Sequence, residues 1–197
     1  DFFIFGSLAG VIASHFYAEV GEATGYILAL LTFGVGFVVR PLGALVFGWF
    51  GDKTGRKTTF LVTITLMGVA TVAIGLLPDY DQIGIAAPIL LLTMRVLQGF
   101  ALGGEYGGAA IYVAEHSPRE KRGFLTGWIQ TTAALGLIGA LAVILATRAI
   151  VGAEAFAEWG WRIPFLISAL LLVVSLWIRL KLNESPAFQQ MEAESAD

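Results

Sequence analysis

The sequence predicts an all-α integral membrane protein with six transmembrane helices, and three observations support this fold class. Of the 197 residues, 57% are hydrophobic and only 14% are charged, whereas a soluble domain carries about 25% charged residues. Apolar segments of about 20 residues, the length that a spanning helix needs, recur between short polar connectors. The cations are concentrated in alternate connectors. Soluble enzymes, disordered regulators and nucleic-acid binders are therefore excluded, and the net charge of −3 also argues against a polyanionic partner.

Each predicted span is an apolar run that ends at Gly, Pro or charged residues. The first run begins at once at Phe2, with no basic region or cleavage site before it, so we expect the sequence to start inside a helix rather than with a signal peptide. The second is long and is interrupted at Arg40 and Pro41, because proline breaks a helical hydrogen bond. The predicted spans are 2–17, 25–50, 59–77, 85–114, 124–147 and 163–178, followed by a polar tail after Leu182.

The basic connectors predict the orientation. Connectors one–two and three–four carry no cation, and five–six has only Arg148 and Arg162 at its margins. Because cytosolic loops are rich in Lys and Arg, both ends of the chain are expected in the cytosol, most simply of a bacterial inner membrane, with Trp159 and Trp161 at the outer interface. The eight cations of the predicted cytosolic side are Lys53, Arg56, Lys57, Arg119, Lys121, Arg122, Arg179 and Lys181.

Two further arginines lie within the spans themselves. Arg40 precedes Asp52 by twelve residues, or about 18 Å along a helix, which places it near mid-depth. A charged side chain there costs at least ~2.5 kcal/mol and normally faces a cavity or a partner. We expect Arg40 to contact an anion in a cavity, with pairing to another span as the alternative, and the same considerations apply to Arg95.

Span four combines a polar face with a glycine face. Glycines at four-residue spacing allow two helix backbones to approach closely. Glu105 either faces a cavity or only neutralises an arginine, and Asp1 is either a protonatable carboxylate or a consequence of its terminal position. At about 100° per residue, the polar face holds Arg95, Gln98, Glu105 and Tyr106, and the neighbouring face holds Gly99, Gly103 and Gly107.

The connector between spans two and three has the composition of a gate. Gly48 and Gly51 permit close approach at a helix end, and Asp52 suits the N-terminus of a neighbouring helix. Arg56 and Lys57 suit carboxylate partners, for which Glu115 and Glu184 are the candidates on the same side. The alternative is a solvated loop with no such role.

No catalytic chemistry is predicted. The sequence has no P-loop, G-x-S-x-G or H-E-x-x-H pattern and no cysteine, so we expect neither an enzyme nor a cofactor nor a metal site. His15, near the outer end of span one, and His116, in a cytosolic connector, are interpreted as interfacial side chains. The alternative for His15 is titration in a translocation path.

Together these motifs resemble the major facilitator superfamily and, within it, the metabolite:proton symporters that carry shikimate, 2-oxoglutarate, citrate, proline or betaine. The loop signature G-x-x-x-D-R-x-G-R-K is resembled by "GWFGDKTGRK", with Lys53 in place of Arg. The fourth-helix signature R-x-x-Q-G-x-G is resembled by "RVLQGFALGG", with Ala101 in place of Gly. Finer features are "RPLGALVFG", "GGEYGGAAIYVAEHSPREKRG", "WGWRIPF" and "NESPAF", so the resemblance covers essentially the whole chain.

The resemblance implies half of a twelve-span transporter built from inverted three-helix repeats. Residues 1–182 would form the N-terminal six-helix bundle and 183–197 the start of a central cytosolic linker. The expected partners are the lipid bilayer, a small organic substrate with a proton, and a C-terminal six-helix half from the same parent chain or a second copy. The cytosolic gate would comprise Gly48, Gly51, Asp52, Gly55, Arg56, Lys57, Glu115, Arg122 and Glu184.

The implied activity is proton-coupled symport of a small metabolite by alternating access. Two intramembrane arginines favour a carboxylate, and the antiporter signature of the fifth helix is absent. Alternatives are a zwitterionic osmolyte, an antiporter or uncoupled facilitator, and, in a different class, a six-span scaffold or a homodimeric half-transporter. Proton coupling is assigned to Asp1, which would pair with Arg95, and to Glu105. Substrate binding is assigned to Arg40, Arg95, Gln98, Glu105 and Tyr106.

Overall fold

The computed structural model describes residues 2–181, and all the regular structure in that range is helical, which confirms the all-α fold class. Asp1, Glu184 and the predicted linker 183–197 lie outside the described residues. The helices are α1 (Phe2–Ser7), α2 (Ala9–Phe16), α3 (Glu22–Val38), α4 (Arg40–Thr54), α5 (Arg56–Leu76), α6 (Tyr80–Ile83), α7 (Ala86–Glu115), α8 (Arg122–Val151), α9 (Ala153–Ala155) and α10 (Arg162–Leu180).

Five helical segments in the described range are long and apolar enough to cross a membrane. They correspond to predicted spans two to six: Glu22–Thr54, Arg56–Leu76, Ala86–Glu115, Arg119–Val151 and Arg162–Leu180.

The first predicted span corresponds to α1 and α2, which are separated only at Leu8. The Leu8 amide donates to the carbonyl oxygens of Ile4 and Phe5, both at 3.1 Å, and the Ile12 amide donates to Leu8 at 2.9 Å. The two short helices therefore follow one another with little loss of hydrogen bonding. Their side chains Phe5, Ile12 and Phe16 are fully buried, so this span occupies the centre of the hydrophobic core.

Span two is divided into two helices where the sequence predicts an interruption. Helix α3 ends at Val38 and α4 begins at Arg40. Pro41, the second residue of α4, has no amide hydrogen to donate to the preceding turn, and so α4 starts as a new helix. The break places the Arg40 carbonyl and side chain at the boundary between the two helices.

Glycines bring α7 against α3 and α4. A Cβ atom added to Gly99 would overlap the backbone of Gly36, and one added to Gly103 would overlap the Arg40 carbonyl group. Gly43 faces the Phe100 backbone in the same way. These contacts confirm the predicted close approach of span four to another helix.

Gly107 differs from the other glycines expected on this face, because no atom lies within 4 Å of its absent Cβ position. The close packing continues instead through Gly104, which abuts the Phe47 side chain, and Gly108, which abuts Phe60. Phe47 belongs to α4 and Phe60 to α5, so the close contacts of α7 pass from one neighbouring helix to the next.

The outer surface of the bundle is apolar. Helix α8 buries only Ala140, Ile144 and Thr147 along its 30 residues, and large apolar side chains of α3, α8 and α10 are exposed. Such faces suit hydrocarbon, where helices satisfy their own backbone groups. The end of the bundle that carries the eight cations is called the basic end below. There, a hydrogen bond of 3.0 Å from Lys57 Nζ to the Leu180 carbonyl oxygen connects α5 to α10.

Candidate functional site

Arg95 is a charged side chain that hydrogen bonds hold inside the bundle. It is fully buried, and its Nη1 donates to Gln98 Oε1 at 2.6 Å. Its Nη2 donates to the Phe33 carbonyl oxygen at 3.2 Å. Gln98 in turn donates a hydrogen bond from Nε2 to Thr71 Oγ1 at 2.7 Å. Hydrogen bonds therefore hold the guanidinium between α3, α5 and α7 in one orientation.

Aromatic rings surround both intramembrane arginines. The Arg95 Cζ atom lies 4.1 Å from the Phe2 ring centre, 4.5 Å from that of Phe5 and 5.0 Å from that of Phe33. The Arg40 Cζ atom lies 4.6 Å from the same Phe2 ring and 4.1 Å from the Phe37 ring. Cation–π contacts stabilise a desolvated guanidinium by about 2 kcal/mol. They leave its in-plane N–H groups available for an anion.

Both arginines have spare hydrogen-bonding capacity. The Nε atoms of Arg40 and Arg95 are buried and have no hydrogen-bond partner among residues 2–181. Within the same range, none of the ion pairs involves either guanidinium. A buried N–H group without an acceptor costs about 1–3 kcal/mol, so this pair of cations is suited to receive a carboxylate. Asp1, the predicted partner of Arg95, lies outside the described residues and next to Phe2 in the chain.

Glu105 pairs with Arg179 of α10, to which it is linked by a short hydrogen bond. The Arg179 Cζ atom also lies 5.0 Å from the Phe60 ring centre. Glu105 and Arg95 are ten residues apart in one helix, or about 15 Å along its axis. In this structure the glutamate therefore neutralises an arginine, which was the second of the two roles expected for it, and the partner is Arg179.

Tyr106, on the predicted polar face, points to the fifth span. It is half exposed, and its hydroxyl donates to Gln130 Oε1 at 3.2 Å. Sequence reasoning missed Gln130, although a lone amide within an apolar span was a signal that could have identified it. The structure thus places Arg95 with Gln98, and Tyr106 with Gln130, as two separate polar groups.

At the basic end, the turn between α4 and α5 assembles most of the predicted gate. Arg56 Nη2 donates to Asp52 Oδ1 at 2.6 Å. Gly51 leaves room for the Arg56 side chain, and Gly55 joins the helices at φ 90°, a conformation that favours glycine. Gly48 lines a cavity of about 70 Å³ beside these residues.

The predicted gate residues of the other basic connector lie at the ends of α7 and α8. The Arg122 Nε donates to the Ser117 carbonyl oxygen at 3.3 Å. The buried Oε2 of Glu115 has no hydrogen-bond partner in the described range. Both residues are therefore placed at the basic end together with Lys57, as predicted.

Sequence reasoning missed a charged cluster at the opposite end of the bundle. Arg162, at the start of α10, donates to Asp79 Oδ1 at 2.5 Å and to the carbonyl oxygens of Gly75 and Leu77 at 3.2 and 2.5 Å. Asp79 also contacts His15. The signal available in the sequence was a charged residue next to a helix-breaking residue in each connector. The spacing of these residues does not reveal which of them contact one another.

The comparisons with known proteins agree with this architecture. A family model described as "Sugar (and other) transporter" matches residues 1–197. The chain belongs to the sugar (and other) transporter family. Membership of a family of transporters confirms the expectation that the protein is not an enzyme, and it makes the chain a multi-pass membrane protein.

Curated relatives share much of the sequence. The chain is 46% identical over 190 residues to the proline/betaine transporter of Salmonella typhimurium, covering 96% of this chain and 38% of that protein. It is 42% identical over 193 residues to the shikimate transporter of Escherichia coli, covering 98% of this chain and 44% of that protein. The chain thus spans about two fifths of the length of these relatives.

Solved structures confirm the fold. The proton:xylose symporter XylE of the major facilitator superfamily, bound to 6-bromo-6-deoxy-D-glucose, superposes with a TM-score of 0.84 at 16% identity. The match covers 96% of this chain and 42% of the XylE chain. At this identity the likeness shows the fold alone, and it confirms the fold that the resemblance implied.

Proposed function

We propose that the chain is the N-terminal half of a proton-coupled symporter that moves a small organic carboxylate by alternating access. A second six-span half, from the same parent protein or from another copy, completes the pathway. The membrane is a bacterial inner membrane, and the basic end faces the cytosol in accordance with the positive-inside rule.

The observation that carries the proposal is the pair of guanidinium groups at Phe2. Arg40 and Arg95 both contact this ring, and each keeps a buried Nε without a partner among the described residues. A carboxylate satisfies such donors with strong, charge-assisted hydrogen bonds. The named substrates of the two relatives, proline, betaine and shikimate, all bear a carboxylate.

Proton coupling rests on competition for Arg95. In the proposed cycle, Asp1 occupies the guanidinium while it is ionised. A proton from outside converts Asp1 to the neutral acid, and Arg95 becomes free to bind the substrate carboxylate. Glu105 remains a second candidate for the proton. Its pairing with Arg179 supports a role at the basic end, where protonation would release α10 from α7.

The gate rests on the Asp52–Arg56 turn. Charged contacts at the basic end hold spans two, three and six together, through Arg56 to Asp52 and Lys57 to the end of α10. In the proposed cycle these contacts, with Glu115, Arg122 and Glu184, form in the outward-facing state and break as the two halves rock. The substrate is then released to the cytosol.

The test is uptake by proteoliposomes that contain the full-length protein from its gene. We expect accumulation of at least one labelled carboxylate from a panel of di- and tricarboxylates, shikimate, proline and betaine. Accumulation is expected to require an inward proton gradient. Uptake that is identical with and without the gradient contradicts symport, and no uptake of any carboxylate contradicts the substrate class.

A zwitterionic osmolyte is the second candidate substrate, because the proline/betaine transporter is among the most similar relatives. Its cationic group needs an anionic or aromatic partner, and Phe2, Phe33 and Phe37 form an aromatic cluster beside the arginines. Competition distinguishes the two candidates. Excess betaine abolishes uptake through an osmolyte site, whereas excess of a dicarboxylate does so through a carboxylate site.

A further inference from the structure

The end of span one is held by a histidine whose two ring nitrogens both face acceptors. His15 lies in the last turn of α2 and is partly buried. Its Nδ1 lies 3.2 Å from Asp79 Oδ2, and its Nε2 lies 2.8 Å from the Ala157 carbonyl oxygen. Three separate parts of the chain therefore meet at one imidazole: α2, the connector before α6, and the connector before α10.

Both partners of the imidazole accept hydrogen bonds and neither donates one. A carbonyl oxygen has no proton to give. The other oxygen of Asp79 accepts a hydrogen bond from Arg162 at 2.5 Å, and a guanidinium can only donate, so the carboxylate is an acceptor on both sides. A neutral imidazole has one N–H, so it satisfies only one of the two acceptors. The imidazolium has two N–H groups and satisfies both.

Aromatic and charged side chains surround the imidazole. The His15 ring centre lies 5.2 Å from that of the buried Trp161, and the Arg162 Cζ atom lies 4.6 Å from the same indole ring centre. Arg162 is a cation of this cluster, and the Asp79 carboxylate contacts both it and His15. Of the other charged groups of these connectors, Glu158 follows Ala157 and is exposed.

One neighbouring pair does not compete for the proton. Tyr80 donates a hydrogen bond of 3.0 Å to Glu19, which raises the pKa of the Tyr80 hydroxyl. Tyr80 therefore stays neutral throughout the range in which imidazole titrates, about pH 5 to 8. Within the cluster, His15 is the side chain whose ring carries either one or two N–H groups.

We propose that His15 is a proton-binding site, in which the imidazolium bridges the Asp79 carboxylate to the Ala157 carbonyl oxygen and fixes the end of span one to the two connectors. The direction of the pH dependence follows from the number of N–H donors on the ring. The bridge is complete at low pH, and one of its two hydrogen bonds is lost as the imidazole loses its proton with rising pH. Because α1, at the other end of span one, carries the Phe2 and Phe5 rings that pack on Arg95, this bridge positions the helix that lines the proposed carboxylate site.

The proposal is independent of the transported substrate, and its test is a measurement of stability. The full-length protein, purified in detergent, is melted at pH 5.5 and pH 8.5 as wild type, as His15→Gln and as His116→Gln. His116 is the matched control, because it is exposed and its Nδ1 contacts only the Tyr112 carbonyl oxygen of its own helix.

At pH 5.5 we expect His15→Gln to lower the melting temperature by about 2–4 °C, the effect of losing the two hydrogen bonds of the imidazolium. At pH 8.5 we expect the difference from wild type to shrink to less than half of that. His116→Gln should match wild type at both values. An equal loss at both pH values, or no loss at pH 5.5, overturns the proposal.

A double-mutant cycle keeps the test decisive if His15→Gln disturbs the fold for another reason. Asp79→Asn removes the anionic acceptor while keeping the shape of the side chain. At pH 5.5 the combined His15→Gln and Asp79→Asn variant should lose less melting temperature than the sum of the single variants, because they remove the same contact. Additive losses overturn the bridge.

Discussion

Replacing Gly99 by alanine tests the packing on which the Arg40 and Arg95 arrangement depends. A Cβ at this position overlaps the Gly36 backbone, which no rotamer change can relieve. Overpacking costs about 1–3 kcal/mol, and a backbone obstacle puts this site at the upper end of that range. The gain in helix propensity returns at most about 1 kcal/mol. We therefore expect a net loss of about 2 kcal/mol, or about 2–4 °C in the melting temperature of a protein as long as the curated relatives.

The control for this substitution lies on the same helix. Gly107→Ala adds the same methyl group where no atom lies within 4 Å, so it should leave the melting temperature unchanged or raise it. Gly103→Ala, which meets the Arg40 carbonyl, should behave like Gly99→Ala. The measurement is thermal unfolding of the purified full-length protein in detergent. The close approach of α3 and α7 is refuted if Gly99→Ala has the melting temperature of wild type. It is also refuted if Gly107→Ala lowers the melting temperature as much as Gly99→Ala does.

Three further predictions concern charged and polar groups. Arg95→Ala should reduce proton-driven uptake at least about tenfold, the effect of losing one charge-assisted hydrogen bond. His116→Ala is the control and should take up substrate at a near-normal rate. Normal uptake by Arg95→Ala would contradict the proposed mechanism. Glu105→Gln leaves Arg179 partly buried without its counter-charge and should cost about 1–3 kcal/mol in a thermal melt. The Glu105→Gln/Arg179→Gln double variant should recover part of that loss, and purely additive losses would show that the two residues do not interact. Gln98→Leu deprives Arg95 of an acceptor and should also cost about 1–3 kcal/mol, whereas Gln98→Glu, which keeps an acceptor, should cost less.

The spans could be predicted because they depend on local properties of the chain. Hydrophobic length defines them, and Pro41 marks the boundary between α3 and α4 because it acts on its own preceding turn. The positions of Arg40 and Arg95 inside the membrane also follow from counting residues from a polar connector. The sequence also predicted that the glycines of α7 pack closely against another helix, because small residues at helical spacing permit close packing.

The partners of the intramembrane charges could not be predicted in the same way. Helical periodicity gives the direction in which Glu105 and Arg95 point around α7, but a 30-residue helix separates groups on one face by many ångströms in depth. Glu105 consequently meets Arg179, 74 residues away in the chain. Likewise, Arg162 and Asp79 are 83 residues apart. Which connector ends meet depends on how the helices pack, and this information is spread over the whole sequence.

The two guanidinium groups at Phe2 concentrate positive charge at the proposed carboxylate site. Both Cζ atoms lie within 4.6 Å of one ring centre, so they are at most about 9 Å apart, and with an effective dielectric constant of about 20 two unit charges then repel by at least about 2 kcal/mol. An anion between them is attracted by both and offsets their repulsion, whereas a neutral molecule of the same shape gains neither effect. Discrimination at the proposed site therefore depends on the charge of the incoming molecule more than on its outline.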